Sequence, residues 1–182
     1  MTTPRETVVT ARPVRVRRVP DGTPEELPAG TSAQITQALG SSITLLVDGR
    51  LVRLDGADAD AIGKPLPVAP THPADVSQEE LRNLVWQALK TCYDPEVPID
   101  IVELGLVYSC DVLPMERGTQ FEVSIEMTLT SPGCGMGEVI VDDVYAKVMA
   151  LPRVGEVTVD IVFDPPWDRY RLSEGARLAL GL

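Results

Sequence analysis

The sequence predicts an α+β protein in which a two-layer α/β sandwich, with element order α-β-β-α-β-α and a small three-stranded sheet, follows a small β-rich N-terminal domain. Three observations predict this fold. Short β-type runs separated by turn dipeptides fill the first third of the 182-residue chain. An amphipathic helix opens the second part, and alternating strands flank another helical pattern beyond it.

The first β-type run alternates valines with arginines. Val14, Val16 and Val19 are separated by basic residues from Arg12 to Arg18. This pattern predicts an edge strand whose arginines discourage pairing with other chains. A basic docking arm is the alternative interpretation.

A β-hairpin is predicted further along this domain. Residues 42–47 and 50–54 are β-type runs joined by Asp48-Gly49, which is a strong signal for a tight turn between antiparallel strands. We place the N-terminal domain at residues 1–65. Residues 66–76 are rich in proline and predict an extended linker.

The second domain, residues 77–182, begins with a helix over about 78–91. Ser77 and Glu80 have the spacing of a capping box. Behind them an apolar stripe recurs at helical spacing: Leu81, Leu84, Val85, Ala88 and Leu89. Asp94-Pro95 ends the helix, because a residue before proline avoids the α region.

Carboxylates follow this helix. Two prolines keep Asp94-Pro95-Glu96-Val97-Pro98 extended, so Asp94 and Glu96 would face the same side. Such a pair can act as acid and base or receive a cation. A solvated acidic turn is the alternative. Glu103, isolated in the apolar run 101–108, needs a partner or an exit to solvent, and we group it with this acidic motif.

Strands are predicted at 107–112, 120–129 and 157–163, with a short last helix after Ser173. The loop between the second strand and its helix holds Thr130, Gly133, Cys134 and Gly135. A cysteine before a helix has free backbone N–H groups and a helix dipole that favour the thiolate, which binds metals and attacks electrophiles. The alternative is a purely structural turn, with Ser131 as N-cap and Pro132 at the first helical position.

Composition excludes several function classes. The net charge of −11 argues against general nucleic-acid binding, because phosphate contacts need a positive surface, and it suits protein partners with basic patches. No apolar run is long enough to span a membrane. Three scattered cysteines do not form a disulfide framework, which predicts reduced thiols and a cytoplasmic location.

Four motifs of the second domain resemble the iron–sulfur assembly domain family, which includes the SufT and PaaD proteins. The motifs are Asp94-Pro95-Glu96, the run from Ile101 to Tyr108, Met127-Thr128-Leu129-Thr130 with Pro132-Gly133-Cys134, and Asp164-Pro165-Pro166-Trp167. Three N-terminal segments, 27–31, 35–40 and 58–61, resemble the leading region of the SufT branch. Gly135 also fits this branch, whereas many other branches carry proline after the cysteine.

The resemblance implies an auxiliary factor in iron–sulfur cluster assembly or transfer, not an enzyme, with Cys134 as the reactive cysteine and metal ligand and Asp94 and Glu96 as the acidic motif. It implies as cargo a transient cluster that is not stably bound, and as partners the assembly machinery and client apoproteins. One thiolate cannot hold a cluster that normally takes four ligands, so a homodimer pairing two Cys134 loops, a partner or a small thiol would complete the set.

Two other functions compete with this one. An adaptor would link assembly machinery and clients without binding iron. An enzyme with Cys134 as nucleophile lacks a credible base, since the only histidine, His72, lies in the predicted linker. Cys92 and Cys110 are more typical of buried small apolar residues than of ligands. Trp167 fits either a partner-docking residue or a cover for one end of the sheet.

Overall fold

The computed structural model of the protein describes residues 6–66, 71–94, 97–116, 119–131 and 135–182. The chain divides into two compact units. The N-terminal unit is residues 1–69 with 95–98, and the C-terminal unit is residues 70–94 with 99–182. None of the described helices is long and apolar enough to cross a membrane.

The N-terminal unit is a six-stranded sheet in which every neighbouring pair of strands is antiparallel. Its strands are β1 (Thr7–Val9), β2 (Val14–Arg18), β3 (Pro24–Leu27), β4 (Ser32–Leu39), β5 (Ser42–Val47) and β6 (Arg50–Asp55), in the spatial order β1-β4-β5-β6-β2-β3. A 3-10 helix, Gly56–Ile62, follows β6. Alternate strand residues such as Val16, Leu45 and Leu54 bury one face and form the core of this unit.

The predicted hairpin is confirmed. β5 and β6 pair from Ser42↔Asp55 to Val47↔Arg50 across a two-residue turn. Both turn residues have positive φ, 47° at Asp48 and 80° at Gly49, which is the backbone that tight hairpin turns require.

The predicted edge strand is wrong in its position. β2 lies inside the sheet, because β6 pairs with one side of it and β3 folds back onto the other. Its arginines protrude from the sheet surface instead of guarding an edge, since Arg15 and Arg17 are exposed while Val14 and Val16 are buried. Local alternation indicated a strand but held no information about which strands would pair with it.

The C-terminal unit has the predicted order α-β-β-α-β-α. Its main elements are α1 (Gln78–Leu89), β7 (Val107–Pro114), β8 (Phe121–Met127), α2 (Gly137–Met149), β9 (Val154–Ile161) and α3 (Glu174–Leu180). β8 is the central strand of the sheet; it pairs antiparallel with β7 and parallel with β9, and α2 makes the crossover between the parallel strands. Ser77 and Glu80 form the predicted capping box at the start of α1.

The two long helices cover one face of this sheet. Alternate residues of β8 are buried against them, and the central contacts come from Leu81, Val85, Leu89, Val123, Ile125, Met127, Ile140, Val144 and Val148. Val159 and Ile161 are only half-buried, because β9 is an edge strand. The opposite face of the sheet is polar, with Glu126 and Asp160 adjacent and exposed.

The helix after the cysteine loop begins later than the structural-turn interpretation requires. α2 starts at Gly137 with Met136 as N-cap, and no side chain caps it. Ser131 is therefore not the N-cap of this helix, and that part of the alternative interpretation is wrong. In sequence, Cys134 precedes the N-cap by two residues.

Candidate functional site

Three connecting segments meet at one end of the C-terminal sheet. β8 and β9 are parallel, so both end there, and the antiparallel β7 begins there. Two backbone hydrogen bonds extend the ladder beyond the strands: Thr128 N–H donates to the Leu106 carbonyl at 2.8 Å, and Val162 N–H donates to the Met127 carbonyl at 2.8 Å. The segments before β7, after β8 and after β9 are therefore neighbours.

Only part of the predicted site lies within the described residues. Cys134, Gly133 and Glu96 fall outside them. Thr130 and Gly135, on either side of the cysteine, are exposed. The surroundings of the thiol and the pairing of Asp94 with Glu96 therefore stay predictions.

Asp94 is a buried carboxylate near the end of α1. Only 6% of the residue is exposed, which contradicts the solvated-turn alternative at this position. Its backbone N–H donates to the Ile99 carbonyl at 3.3 Å, and the neighbouring Tyr93 forms an isolated bridge with Asp100. These contacts close the loop that carries the acidic motif.

Glu103 has a partner far away in the sequence. Its carboxylate accepts a hydrogen bond from the Ser173 hydroxyl, and its carbonyl oxygen accepts the Ser173 N–H at 2.9 Å. The turn that carries it is fixed by Asp100, whose carboxylate accepts the N–H groups of Val102 and Glu103, both at 3.0 Å. Because Ser173 is also the N-cap of α3, Glu103 anchors the last helix.

The segment 163–173, which we call the C-terminal strap, runs along the 103–108 segment. The Trp167 indole N–H donates to the Leu104 carbonyl at 2.9 Å, and the Tyr108 hydroxyl donates to the Pro165 carbonyl at 2.8 Å. The Arg171 guanidinium lies 4.1 Å from the centre of the Tyr108 ring. Trp167 is half-buried and fastens the strap, which agrees with the interpretation of this ring as a cover.

Gly105 makes this close approach possible. Its φ is +66°, and a Cβ there would overlap the carbonyl oxygen of Arg171 and lie 2.8 Å from its carbonyl carbon. Only glycine combines a left-handed backbone with the absence of a side chain. The strap therefore depends on a glycine at this position.

The two described cysteines are not thiolates at neutral pH. Cys92 is 1% exposed, and burial raises its pKa to about 12. Cys110 is half-buried on β7, and burial raises its pKa to about 11. The Lys147 ammonium lies 3.6 Å from the Cys92 sulfur, but it also donates to Asp143 at 3.0 Å and to the Thr91 carbonyl at 2.7 Å. Both cysteines therefore behave as the small apolar residues that the sequence predicted.

Sequence reasoning missed one polar residue at this end of the sheet. Thr128 has the strand parity of Glu122, Ser124 and Glu126, so alternation places it on the polar face. The residue is nevertheless 0% exposed, and its hydroxyl oxygen has no hydrogen-bond partner among the described residues. β8 ends at Met127, so regular alternation no longer governs the next residue. A threonine following a strand of alternating residues gives no sequence signal of such burial.

The residues at the two ends of the connection between Thr128 and α2 lie against each other. Leu129 is buried, and a Cβ on Gly137 would lie 2.6 Å from its Cδ1 atom. Leu129 and Gly137 are therefore in contact, and the segment between them starts and ends at the same point. Within the described residues, no group of three or more histidine, cysteine or acidic side chains is arranged to hold a metal ion.

Comparison with known proteins gives consistent matches to one family. Residues 82–159 match the family described as "Iron-sulfur cluster assembly protein". The Fe-S protein maturation auxiliary factor YitW of Bacillus subtilis is 43% identical over 105 residues, which cover 58% of this chain and 98% of the relative. SufT of Staphylococcus aureus, also named an Fe-S protein maturation auxiliary factor, is 43% identical, and the match covers 49% of this chain and 96% of that protein. A factor of the same description from Porphyromonas gingivalis is 41% identical, covering 53% and 88%. The similarity to the B. subtilis factor extends over nearly all of that protein, and the chain therefore belongs to the iron–sulfur cluster assembly protein family.

Proposed function

We propose that this protein is an auxiliary factor that assists the assembly of iron–sulfur clusters or their transfer to client apoproteins, with the Cys134 thiolate as the group that contacts the cargo. The names of its relatives support a role in iron–sulfur protein maturation. They also favour an assisting role over catalysis. In such a role the cluster is cargo that passes to clients, and the protein does not keep it.

The state of the other two thiols is the observation that carries this assignment. Thiolate is the sulfur ligand that iron–sulfur units require. Cys92 and Cys110 are neutral thiols because burial raises the pKa of each, to about 12 and about 11 from 9.0. Cys134 is the remaining cysteine of the chain. Leu129 and Gly137, which precede and follow this cysteine in the sequence, contact each other. Leu129 follows Thr128, whose N–H donates to the Leu106 carbonyl beyond the end of β8.

The acidic residues would have different roles. Asp94 is buried near the end of α1, and we propose that it and Glu96 face the cargo or the loop that holds it. Glu103 supports the site indirectly, since its carboxylate fixes Ser173 and thereby the C-terminal strap. Thr130 and Gly135, which lie on either side of Cys134 in the sequence, are exposed, and this supports a thiol that cargo can reach.

The remaining ligands must come from outside this loop. A single thiolate leaves a cluster mostly unligated, and the described residues provide no metal-binding group of three. We propose that Cys134 of a second copy, a protein of the assembly machinery or a small thiol completes the set. The predicted domains, 1–65 and 77–182 around a linker at 66–76, and the cytoplasmic location stay predictions, and the proposed activity rests on the second domain.

Replacement of the thiol tests this function. In cells that lack the endogenous factor, Cys134→Ser should fail to restore the activity of an iron–sulfur client enzyme, whereas wild type restores it. Cys110→Ser is the matched control, because Cys110 is a neutral, half-buried thiol whose loss should leave client activity unchanged. If Cys134→Ser supports clients as well as wild type, the thiol is not the working group.

An adaptor without iron is the second candidate. The open face of the sheet favours it, because Asp111, Glu126, Glu156 and Asp160 are all exposed there and suit a basic partner surface. Reconstitution with iron and sulfide separates the two functions. A protein that stays colourless while Cys134→Ser still supports clients would establish the adaptor.

A further inference from the structure

The six-stranded sheet of the N-terminal unit has two edges, and they differ in chemistry. β3 forms one edge and carries Pro24, Glu25 and Glu26. Proline and charged side chains on an edge strand discourage pairing with another chain. β1 forms the other edge, and its sequence, Thr7-Val8-Val9, contains neither a charge nor a proline. Of the two edges, β1 is therefore the one that can accept a further strand.

The backbone of β1 has hydrogen-bonding groups on its free side. The Glu6 carbonyl accepts an N–H of β4 at 2.8 Å, and the Thr10 N–H donates to the residue before β4 at 3.0 Å. Because backbone groups alternate in direction along an antiparallel strand, the N–H and C=O groups of Thr7 and Val9 point away from β4. Within the described residues, no backbone hydrogen bond outside the β1–β4 ladder involves Thr7 or Val9.

Contacts within the unit mark both ends of this free stretch. On one side of β1, the Lys64 ammonium donates to the Glu6 carboxylate at 2.7 Å, so that charge is already paired. Beyond the other end, the Ala11 N–H donates to the Ala61 carbonyl at 2.7 Å, so the chain itself covers the next outward-facing position. A strand that pairs with this edge therefore matches the three residues of β1 and few others.

The side chains of β1 also favour a partner strand. Val9 is 56% exposed, whereas Val8 lies on the opposite face and is buried in the core. A groove of about 290 Å³ opens beside Thr7, on the same side of the strand as Val9. The groove is also lined by Ser32, Gln34, Leu46 and the hairpin turn at Asp48-Gly49. An apolar side chain placed opposite Thr7 would lie at the rim of this groove.

β1 is complementary to a second copy of itself. If two β1 strands pair antiparallel about a two-fold axis at Val8, Thr7 of each copy lies opposite Val9 of the other. Each such pair exchanges two hydrogen bonds, so the two symmetric pairs would form about four and use all the outward groups of Thr7 and Val9. β1 carries no charge, so the paired side chains of two acidic chains do not repel each other there.

We propose that β1 is a dimerisation edge, at which the β1 strands of two copies pair antiparallel about Val8 and join two N-terminal sheets into one. A second copy fits this edge because the free stretch has the length of β1 and the symmetric order of hydrogen-bonding groups that β1 provides. Each Val9 then loses its contact with solvent. The inference does not depend on the function proposed above, since it uses residues of the N-terminal unit and no cargo.

Light scattering of the full-length, iron-free and reduced protein over a concentration series tests this dimer. The wild type should change from monomer to dimer as its concentration rises. Val9→Lys keeps the backbone and adds a charge to the edge, so it should raise the dissociation constant of the dimer at least about tenfold. Ala38→Lys is the matched control, because Ala38 is exposed on the interior strand β4, and it should leave this constant unchanged.

Thr7→Lys is a second edge variant in case Val9→Lys does not fold, which circular dichroism and urea unfolding show directly. A wild type that stays monomeric at every concentration overturns the proposal. So does a dimer that both folded lysine variants form as tightly as wild type. A dimer that appears only after addition of iron and sulfide is bridged by the cargo, and it overturns the proposal too.

Introduced thiols test the register. In the proposed pairing, the Cα atoms of Thr7 and of Val9 from the other copy are about 5.5 Å apart, which a disulfide can span. Oxidation of a mixture of Thr7→Cys and Val9→Cys proteins should therefore link the two introduced thiols, identified by mass spectrometry of the joined peptides. Val9→Cys alone should not link through this position, because its two copies are offset by two residues along the strands. Equal linkage in Val9→Cys alone overturns the register.

Cys134→Ser separates this proposal from the proposed function. The iron-free Cys134→Ser protein should dimerise like wild type, because β1 makes the contact. Loss of the dimer in this variant overturns the edge pairing, whatever the variant does to client enzymes. If Cys134→Ser dimerises and also supports client enzymes like wild type, the thiol function fails and the β1 dimer stands.

Discussion

Gly105→Ala tests how the C-terminal strap is held. Gly105 has a φ of +66°, and an alanine in this left-handed region costs about 1 kcal/mol. The added Cβ would also overlap the backbone of Arg171, which cannot rotate away as a side chain could. The strap must therefore move away from the 103–108 segment.

The size of the effect follows from the contacts that this movement breaks. Four hydrogen bonds join the strap to the segment. Trp167 donates to the Leu104 carbonyl, Tyr108 donates to the Pro165 carbonyl, and Ser173 donates to Glu103 twice, from its N–H to the carbonyl and from its hydroxyl to the carboxylate. Each contributes about 1 kcal/mol net. The cost of an alanine in the left-handed region adds to the partial loss of these bonds. Gly105→Ala should therefore lower the free energy of unfolding by about 2–4 kcal/mol.

Urea unfolding followed by tryptophan fluorescence measures this change. Both tryptophans, Trp86 and Trp167, belong to the C-terminal unit, so the signal reports on the unit that contains Gly105. Gly181→Ala is the matched control, because Gly181 has a φ of +73° and no described atom lies within 4 Å of its added Cβ. It should cost about 1 kcal/mol or less. Equal losses in the two variants would refute the argument that the strap requires a bare backbone at Gly105.

Two further predictions concern the contact between α1 and α2. Lys147→Met should lower the free energy of unfolding by about 2 kcal/mol, because the carboxylate of Asp143 and the carbonyl of Thr91 lose a donor at 3.0 and 2.7 Å. Lys90→Met is the control, because Lys90 is exposed. It should change the free energy of unfolding by less than about 0.5 kcal/mol in the same urea titration. Stability should also fall as pH rises above about 9. Burial raises the pKa of Cys92 from 9.0 to about 12 in the folded state, so the unfolded chain loses this proton first. The resulting loss of stability is about 2 kcal/mol at about pH 10.5. Cys92→Ala should flatten that part of the stability curve, and an unchanged slope in this variant would assign the alkaline loss to other groups.

The order of elements in the C-terminal unit was predictable because each element carries its own period. Ser77 and Glu80 marked the start of α1, and alternation marked β8, since both signals are local to the segment that they describe. The hairpin at Asp48-Gly49 was predictable for the same reason, because two positive φ angles are required within the turn itself.

Pairings between distant segments were not predictable in this way. The partner of Glu103 is Ser173, 70 residues later, and the run 101–108 indicated only that the carboxylate needed a partner. The exposed arginines of β2 predicted an edge strand, but its pattern of valines and arginines is compatible with either position. The pairing with β3 places β2 inside the sheet. Such contacts depend on topology, which single-segment patterns do not contain.

The polar groups at the end of the C-terminal sheet fall into two kinds, according to whether they have a hydrogen-bond partner within the described residues. Asp100, Glu103, Tyr108 and Trp167 all have partners, and each of those hydrogen bonds fixes a turn or the strap. Replacing any of them should lower stability first and function through stability. Thr128 has no such partner within the described chain, so its replacement by valine should leave the free energy of unfolding unchanged or raise it.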